Sequence, residues 1–171
     1  GLYFLALAGA GASAGETASE PVGRPPGPAR WAGVAAPVPV LAVLLLFIWR
    51  RTAAELAVGG AWRLAAGGDF MGAQRLVDRA VDLAPWYGRA HFFQGNVRLL
   101  LGDPKGAEAS LRRSLTLQMD PNAVYDIALA ALQRGDLPAA RRSCVEALRL
   151  KPRFPAALAT LGDIDRRDGR P

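Results

Sequence analysis

The sequence predicts an all-α chain, an antiparallel helix-hairpin solenoid of about 3.5 units preceded by one transmembrane helix. Two observations carry this expectation. Gly68-Asp69, Gly102-Asp103, Gly135-Asp136 and Gly169 recur at intervals of 34, 33 and 34 residues, and a fixed period of that size marks stacked supersecondary units. Residues 31–49, WAGVAAPVPVLAVLLLFIW, carry no charge. That length suits a hydrocarbon core about 30 Å thick at about 1.5 Å per helical residue.

The chain begins at Gly1 rather than Met, so it reads as a processed product or a piece of something longer. Residues 1–14 open with GLYFLALAGA, apolar but too short to span a bilayer. They read either as the end of a preceding membrane helix or as a signal remnant with Ala12-Ser13-Ala14 as its cleavage site, although no basic segment precedes them. Residues 15–30 form a linker, where Pro21, Pro25, Pro26 and Pro28 forbid regular helix. Residues 31–51 are the expected membrane span, with Trp31 and Trp49 at its two ends and Arg50-Arg51 as a charged stop. Pro37 and Pro39 fit only the first turns of such a helix. The proline-free stretch beyond Arg51 predicts that the helix runs on into the first hairpin, loosened at Gly59-Gly60.

From residue 52 to 171 the same pattern repeats, in units of about 54–87, 88–120, 121–154 and a partial 155–171. After each Gly-Asp a helix opens at Phe70, Pro104 or Leu137, with small residues at Ala73, Ala107 and Ala140 and apolar ones at Val77, Leu111 and Cys144. Ala80-Val81, Ser114-Leu115 and Ala147-Leu148 follow, and Pro85, Pro121 and Pro152 close the units. Small residues let backbones approach, and larger ones fill the gap on one face. The pattern predicts helices at 70–83, 88–101, 104–117, 122–133, 137–150 and 155–168, with Asp120 capping the one at 122–133. The last helix places Leu158, Leu161 and Ile164 on one stripe and charge elsewhere, as a terminal cap requires.

These residues resemble the tetratricopeptide repeat family. The family's Leu-Gly in the first helix of each unit stands as Leu161-Gly162, is half kept as Gln94-Gly95 and is absent from the first unit; its early Trp is replaced by His91 and Val124. The resemblance implies a concave groove lined by the first helix of each unit, holding a protein or peptide. The lining positions it assigns are Arg89, Phe92 and Asn96, then Asn122, Tyr125 and Leu129, with Asp163 and Arg166 beyond them. Phe92 and Tyr125 would grip the partner while Arg89 and the asparagines supply hydrogen bonds. An equally open reading packs Phe92 against Leu111. Some family members hold a carboxyl terminus with a Lys/Asn clamp. Asn96 matches one place, but Phe92 stands where the Lys is needed, so that clamp is not expected.

No catalytic constellation is legible. The single His and single Cys, His91 and Cys144, fall in different units, and both read as packed core groups. One Cys makes no internal disulfide. No metal site and no cofactor are expected: zinc spacing and a phosphate loop are absent, and Asp163, Asp165 and Asp168 lack the glycine and closing glutamate of a calcium loop. Net charge is +6, with Lys105 and Lys151 the only lysines. Arg112-Arg113, Arg141-Arg142, Arg149-Lys151-Arg153 and Arg166-Arg167 read as a solvated face or as contacts to anionic lipid; without a continuous basic run, no nucleic acid is expected.

The leading expectation is a non-catalytic, membrane-anchored repeat module for protein–protein interaction or complex assembly, bound to the lipid bilayer through residues 31–51. Two alternatives stay open. The layout of apolar end, Pro-rich loop, span and repeat tail resembles the carboxyl-terminal end of a bacterial O-antigen ligase or polymerase-type membrane glycosyltransferase. A secreted soluble repeat protein is the other. For the anchored reading, Arg50, Arg51 and Arg63 after the span outnumber Arg24 and Arg30 before it. The positive-inside rule then places the repeats in the cytoplasm of a bacterium, beneath its inner membrane.

Overall fold

The structure is a computed structural model and describes residues 37–168. The chain divides into two units, Gly1–Leu41 and Ala42–Pro171. Within the first, the described part is the opening of a helix at Pro37. Among the described residues there are seven helices and no strand. They are α1 (Pro37–Ala66), α2 (Phe70–Leu83), α3 (Gly88–Leu100), α4 (Pro104–Leu117), α5 (Pro121–Gln133), α6 (Leu137–Leu150) and α7 (Pro155–Arg167). From α2 onward these bounds lie within one residue of the sequence expectation.

The Gly-Asp pairs do two jobs. Gly68, Gly102 and Gly135 take φ of 87°, 76° and 75°, a left-handed backbone that ends the first helix of each hairpin. The next residue then caps the second helix. Asp69 accepts from the Gly72 N–H at 2.8 Å, Asp103 from Gly106 at 2.9 Å and Asp136 from Ala139 at 2.9 Å. Each aspartate also donates its own N–H back five residues, to Leu64, Arg98 and Ala131 carbonyls at 2.9 Å. One dipeptide thus satisfies orphan groups at both helix ends. Asp120 caps α5 as expected, accepting from the Asn122 N–H at 2.8 Å.

The repeated small positions are the core. Ala73, Ala107, Ala140, Val77, Leu111 and Cys144 are fully buried, and Ala80, Ser114 and Ala147 nearly or fully so. At Gly95 an added Cβ would stand 2.5 Å from Leu111 Cγ and 3.2 Å from the Ala107 carbonyl oxygen. Only glycine therefore lets α3 and α4 approach this closely. Gly162, the matching place in α7, has nothing within 4 Å of an added Cβ. The α7 stripe is accordingly divided: Ile164 is buried with Cys144 on α6, whereas Leu158 is 52% exposed.

Two groups set aside as structural behave so. His91 is buried, with Nε2 3.0 Å from the Pro85 carbonyl. Burial pushes the Cys144 thiol up to about 11. Gln94 links the first two hairpins through a polar chain: its amide donates to Asp78 on α2 at 2.7 Å, and its oxygen accepts from Ser110 on α4 at 2.8 Å.

The expected membrane span is corrected in part. Among the described residues no helix is long and apolar enough to cross a membrane, and residues 1–36, with the earlier apolar segment and the linker, lie outside them. The apolar part of α1, Val38 to Trp49, is exposed throughout and reaches only about 18 Å at 1.5 Å per residue. From Arg50 the same helix turns into the repeat: Ala54, Val58 and Ala61 are buried against α2 and α3. Gly59-Gly60 leave the helix unbroken. Arg50 fastens it, donating to the Leu83 and Asp82 carbonyls at the end of α2 at 2.7 and 3.1 Å, where a cation also meets the negative end of the helix dipole. Phe47 stacks on Trp86 with centroids 4.8 Å apart.

Candidate functional site

The first helices of successive hairpins, α1, α3 and α5, lie side by side, and one period relates their faces. Glu55, Gly59 and Trp62 on α1 correspond to Arg89, Phe93 and Asn96 on α3 and to Asn122, Asp126 and Leu129 on α5. Between α1 and α3 this produces a cleft of about 400 Å³ lined by Glu55, Val58, Gly59, Trp62, Tyr87, Arg89 and Phe93. Gly59 opens it, since nothing lies within 4 Å of where its Cβ would be. Trp62 is 62% exposed and meets Phe93 edge-on at 5.9 Å. Arg89 stands at the rim, 4.0 Å from Glu55 and 5.5 Å over the Phe93 ring. Below the cleft the groove continues. Trp62, Phe93, Asn96 and Leu100 line a shallow apolar floor, and Asn96 and Leu100 pass it on to a second hollow of about 280 Å³ with Leu99, Asp126, Leu129 and Gln133.

The expected lining residues divide. Arg89, Asn96 and Leu129 line the groove. Asn122 is exposed, but its side-chain amide is held by Asp120 at 2.9 Å. Phe92 packs against the cluster that contains Leu111, as the open alternative has it, while also bordering a hollow with Arg89 and Asp120. Tyr125 turns toward α7, where its hydroxyl is 3.0 Å from Thr160 Oγ1 and its ring 5.1 Å from that of Phe154. Asp163 and Arg166 pair with each other on α7. Phe93, the residue after Phe92, is the phenylalanine that lines the cleft beside Trp62. Trp62 and Tyr87 were missed. The signal was present: one period back from Asn96 is Trp62.

Asp126 is the group whose chemistry the groove alters most. Burial between α3 and α5 raises its carboxyl to about 7; the Asn96 amide opposes the rise, and the charge of Asp120 adds to it. Glu108, on α4, goes the other way. Burial alone would raise it, but hydrogen bonds from Arg112 at 2.7 Å and Arg134 at 2.5 Å outweigh that and hold it below the ordinary value.

A family model for the tetratricopeptide repeat matches residues 59–124 and 125–171, and the chain belongs to that family. No curated protein matches. Among solved structures, the Arabidopsis OM64 repeat domain is similar at 15% identity, covering 69% of this chain and 98% of that one, with a TM-score of 0.67. The second such domain of human RPAP3, solved with an HSP70 peptide, is 15% identical over 70% of this chain and 98% of its own, TM-score 0.63. The Yersinia enterocolitica type III secretion chaperone SycD, solved with a peptide of the translocator YopD, is 19% identical over 67% and 93%, TM-score 0.62. At these identities the likeness is one of fold. The layout resemblance to a ligase tail gains no support from the comparisons.

Proposed function

We propose that this chain is a protein–protein interaction module that takes a peptide segment of its partner along the α1–α3–α5 groove, and that it performs no reaction of its own. The observation that carries the reading is the cleft over Gly59, where an exposed tryptophan and a phenylalanine stand edge to edge with open space between helices. Such a cleft suits one bulky apolar side chain, with Arg89 and Asn96 placed to bond a backbone or polar group. Two of the similar folds were solved with peptides bound, which makes the same use of this one a natural reading. The test is selection of binding peptides from a random displayed library. Trp62→Ala should weaken the selected peptides by about tenfold or more, the loss typical of an aromatic anchor. Gly59→Leu should block them while leaving the fold intact. Peptides that bind both variants as they bind the parent chain would sink the proposal.

We further propose that the apolar half of α1 anchors the module to a bilayer with the repeats on the cytoplasmic side. The exposed run Val38–Trp49 supports this, because an all-round apolar helix surface in water is costly.

A further inference from the structure

The lower hollow of the groove holds a carboxylate without a counter-ion. Asp126 is only partly exposed and shares its hollow with the neutral Asn96 amide of α3, which favours its charged form. None of the ion pairs among the described residues reaches it; the arginines pair with Glu55, Glu108, Glu146, Asp163 and Asp165 instead. The charge that acts on it is that of another acid, Asp120, which raises its carboxyl further. Around it lie Leu99, Leu100, Leu129 and Gln133, which bury the stem of a long side chain but bring no cation. A half-buried acid in a site of this size is costly until a positive group enters. The hollow connects to the aromatic cleft through Asn96 and Leu100, which border both stretches of the groove.

We propose that the groove selects a partner segment carrying a lysine or arginine beside a bulky apolar residue, the apolar side chain filling the Trp62–Phe93 cleft and the cation pairing with Asp126. Asn96 acts as a positioning residue that orients the carboxylate. The inference rests on the groove reading above. The chain's net charge of +6 opposes a basic segment at long range, but at physiological ionic strength that field fades within about 8 Å, whereas the contact with Asp126 is direct and partly shielded from solvent.

The experiment uses two pools of fluorescein-labelled peptides. Every peptide has one central Trp in a Gly/Ser/Ala background; flanking positions are Lys or Arg in one pool and Asp or Glu in the other. At physiological salt the whole chain should bind the basic pool about tenfold tighter, equivalent to about 1.4 kcal/mol. Asp126→Asn should erase most of that advantage, and Trp62→Ala should abolish binding of both pools. Equal or tighter binding of the acidic pool, still lost in Trp62→Ala, would overturn the basic preference while leaving the groove reading intact. A basic advantage that survives Asp126→Asn would overturn the role of Asp126. If neither pool bound, or if binding ignored Trp62→Ala, both readings would fall.

Discussion

Asp126 carries a consequence for stability that is independent of any partner. Its carboxyl ordinarily titrates near 3.8 and is raised to about 7 in the fold. The folded chain therefore binds this proton more tightly than the unfolded chain does, and stability falls as pH climbs through that window. Below about pH 4 both states are protonated and the group costs nothing; above pH 7 the full penalty is present. Asp126→Asn removes the charge and keeps an oxygen for Asn96. Thermal unfolding should show no difference from the parent at pH 4 and a variant several degrees more stable at pH 8. A constant difference across that range would mean the carboxylate is not desolvated. Glu108 has the opposite sign, since its lowered value adds stability that is lost on acidification. The two residues were not equally legible. Glu108 lies four residues before Arg112 on one helix, which a sequence shows, whereas Asp126 meets Asn96 only because α3 and α5 pack side by side.

At the scale of the helix, the Gly-Asp turn is the unit of design. Gly102→Ala forces a Cβ onto a backbone at φ 76°, and Asp103→Ala removes the cap of α4. Each should destabilise by about 1 kcal/mol in denaturant titration, with the slope unchanged. Gly59 is the instructive contrast. It sits inside α1 with open space around it, so Gly59→Ala should stabilise the chain by about 0.5–1 kcal/mol through helix propensity alone. A loss of stability there would show that the helix bends at Gly59. The glycines look alike in the sequence; one terminates a helix, one lets two helices touch at Gly95, and one keeps a cleft open. The period distinguishes the first kind, but only the neighbouring helix distinguishes the other two.

At the scale of the molecule, α1 serves two environments. One face of its second half, Ala54, Val58 and Ala61, is buried in the first hairpin, and its first half presents Val43, Leu44, Leu45, Leu46, Phe47, Ile48 and Trp49 to the surroundings, each about half exposed or more. If the anchoring proposal holds, the expressed chain should stay in the membrane pellet after alkaline carbonate extraction, while a chain beginning at Arg50 should be released. Release of the whole chain would sink the proposal and leave the apolar face to another protein surface.

The sequence by itself determined the solenoid: the helix bounds, the turns, the buried small residues and the place where the hairpins begin. These depend on spacing along one chain, through the reach of a cap, the handedness of a glycine and the side-chain period of a helix. The site was decided by tertiary structure. Phe93 lines the aromatic cleft while Phe92 packs beside Leu111 and borders a separate hollow, Tyr125 turns to α7, and Trp62 enters the groove from the helix that reads most like a membrane segment. Those assignments turn on a rotation of about 100° between adjacent residues of a helix, and only packing against the neighbouring helices sets which residue of a pair looks out.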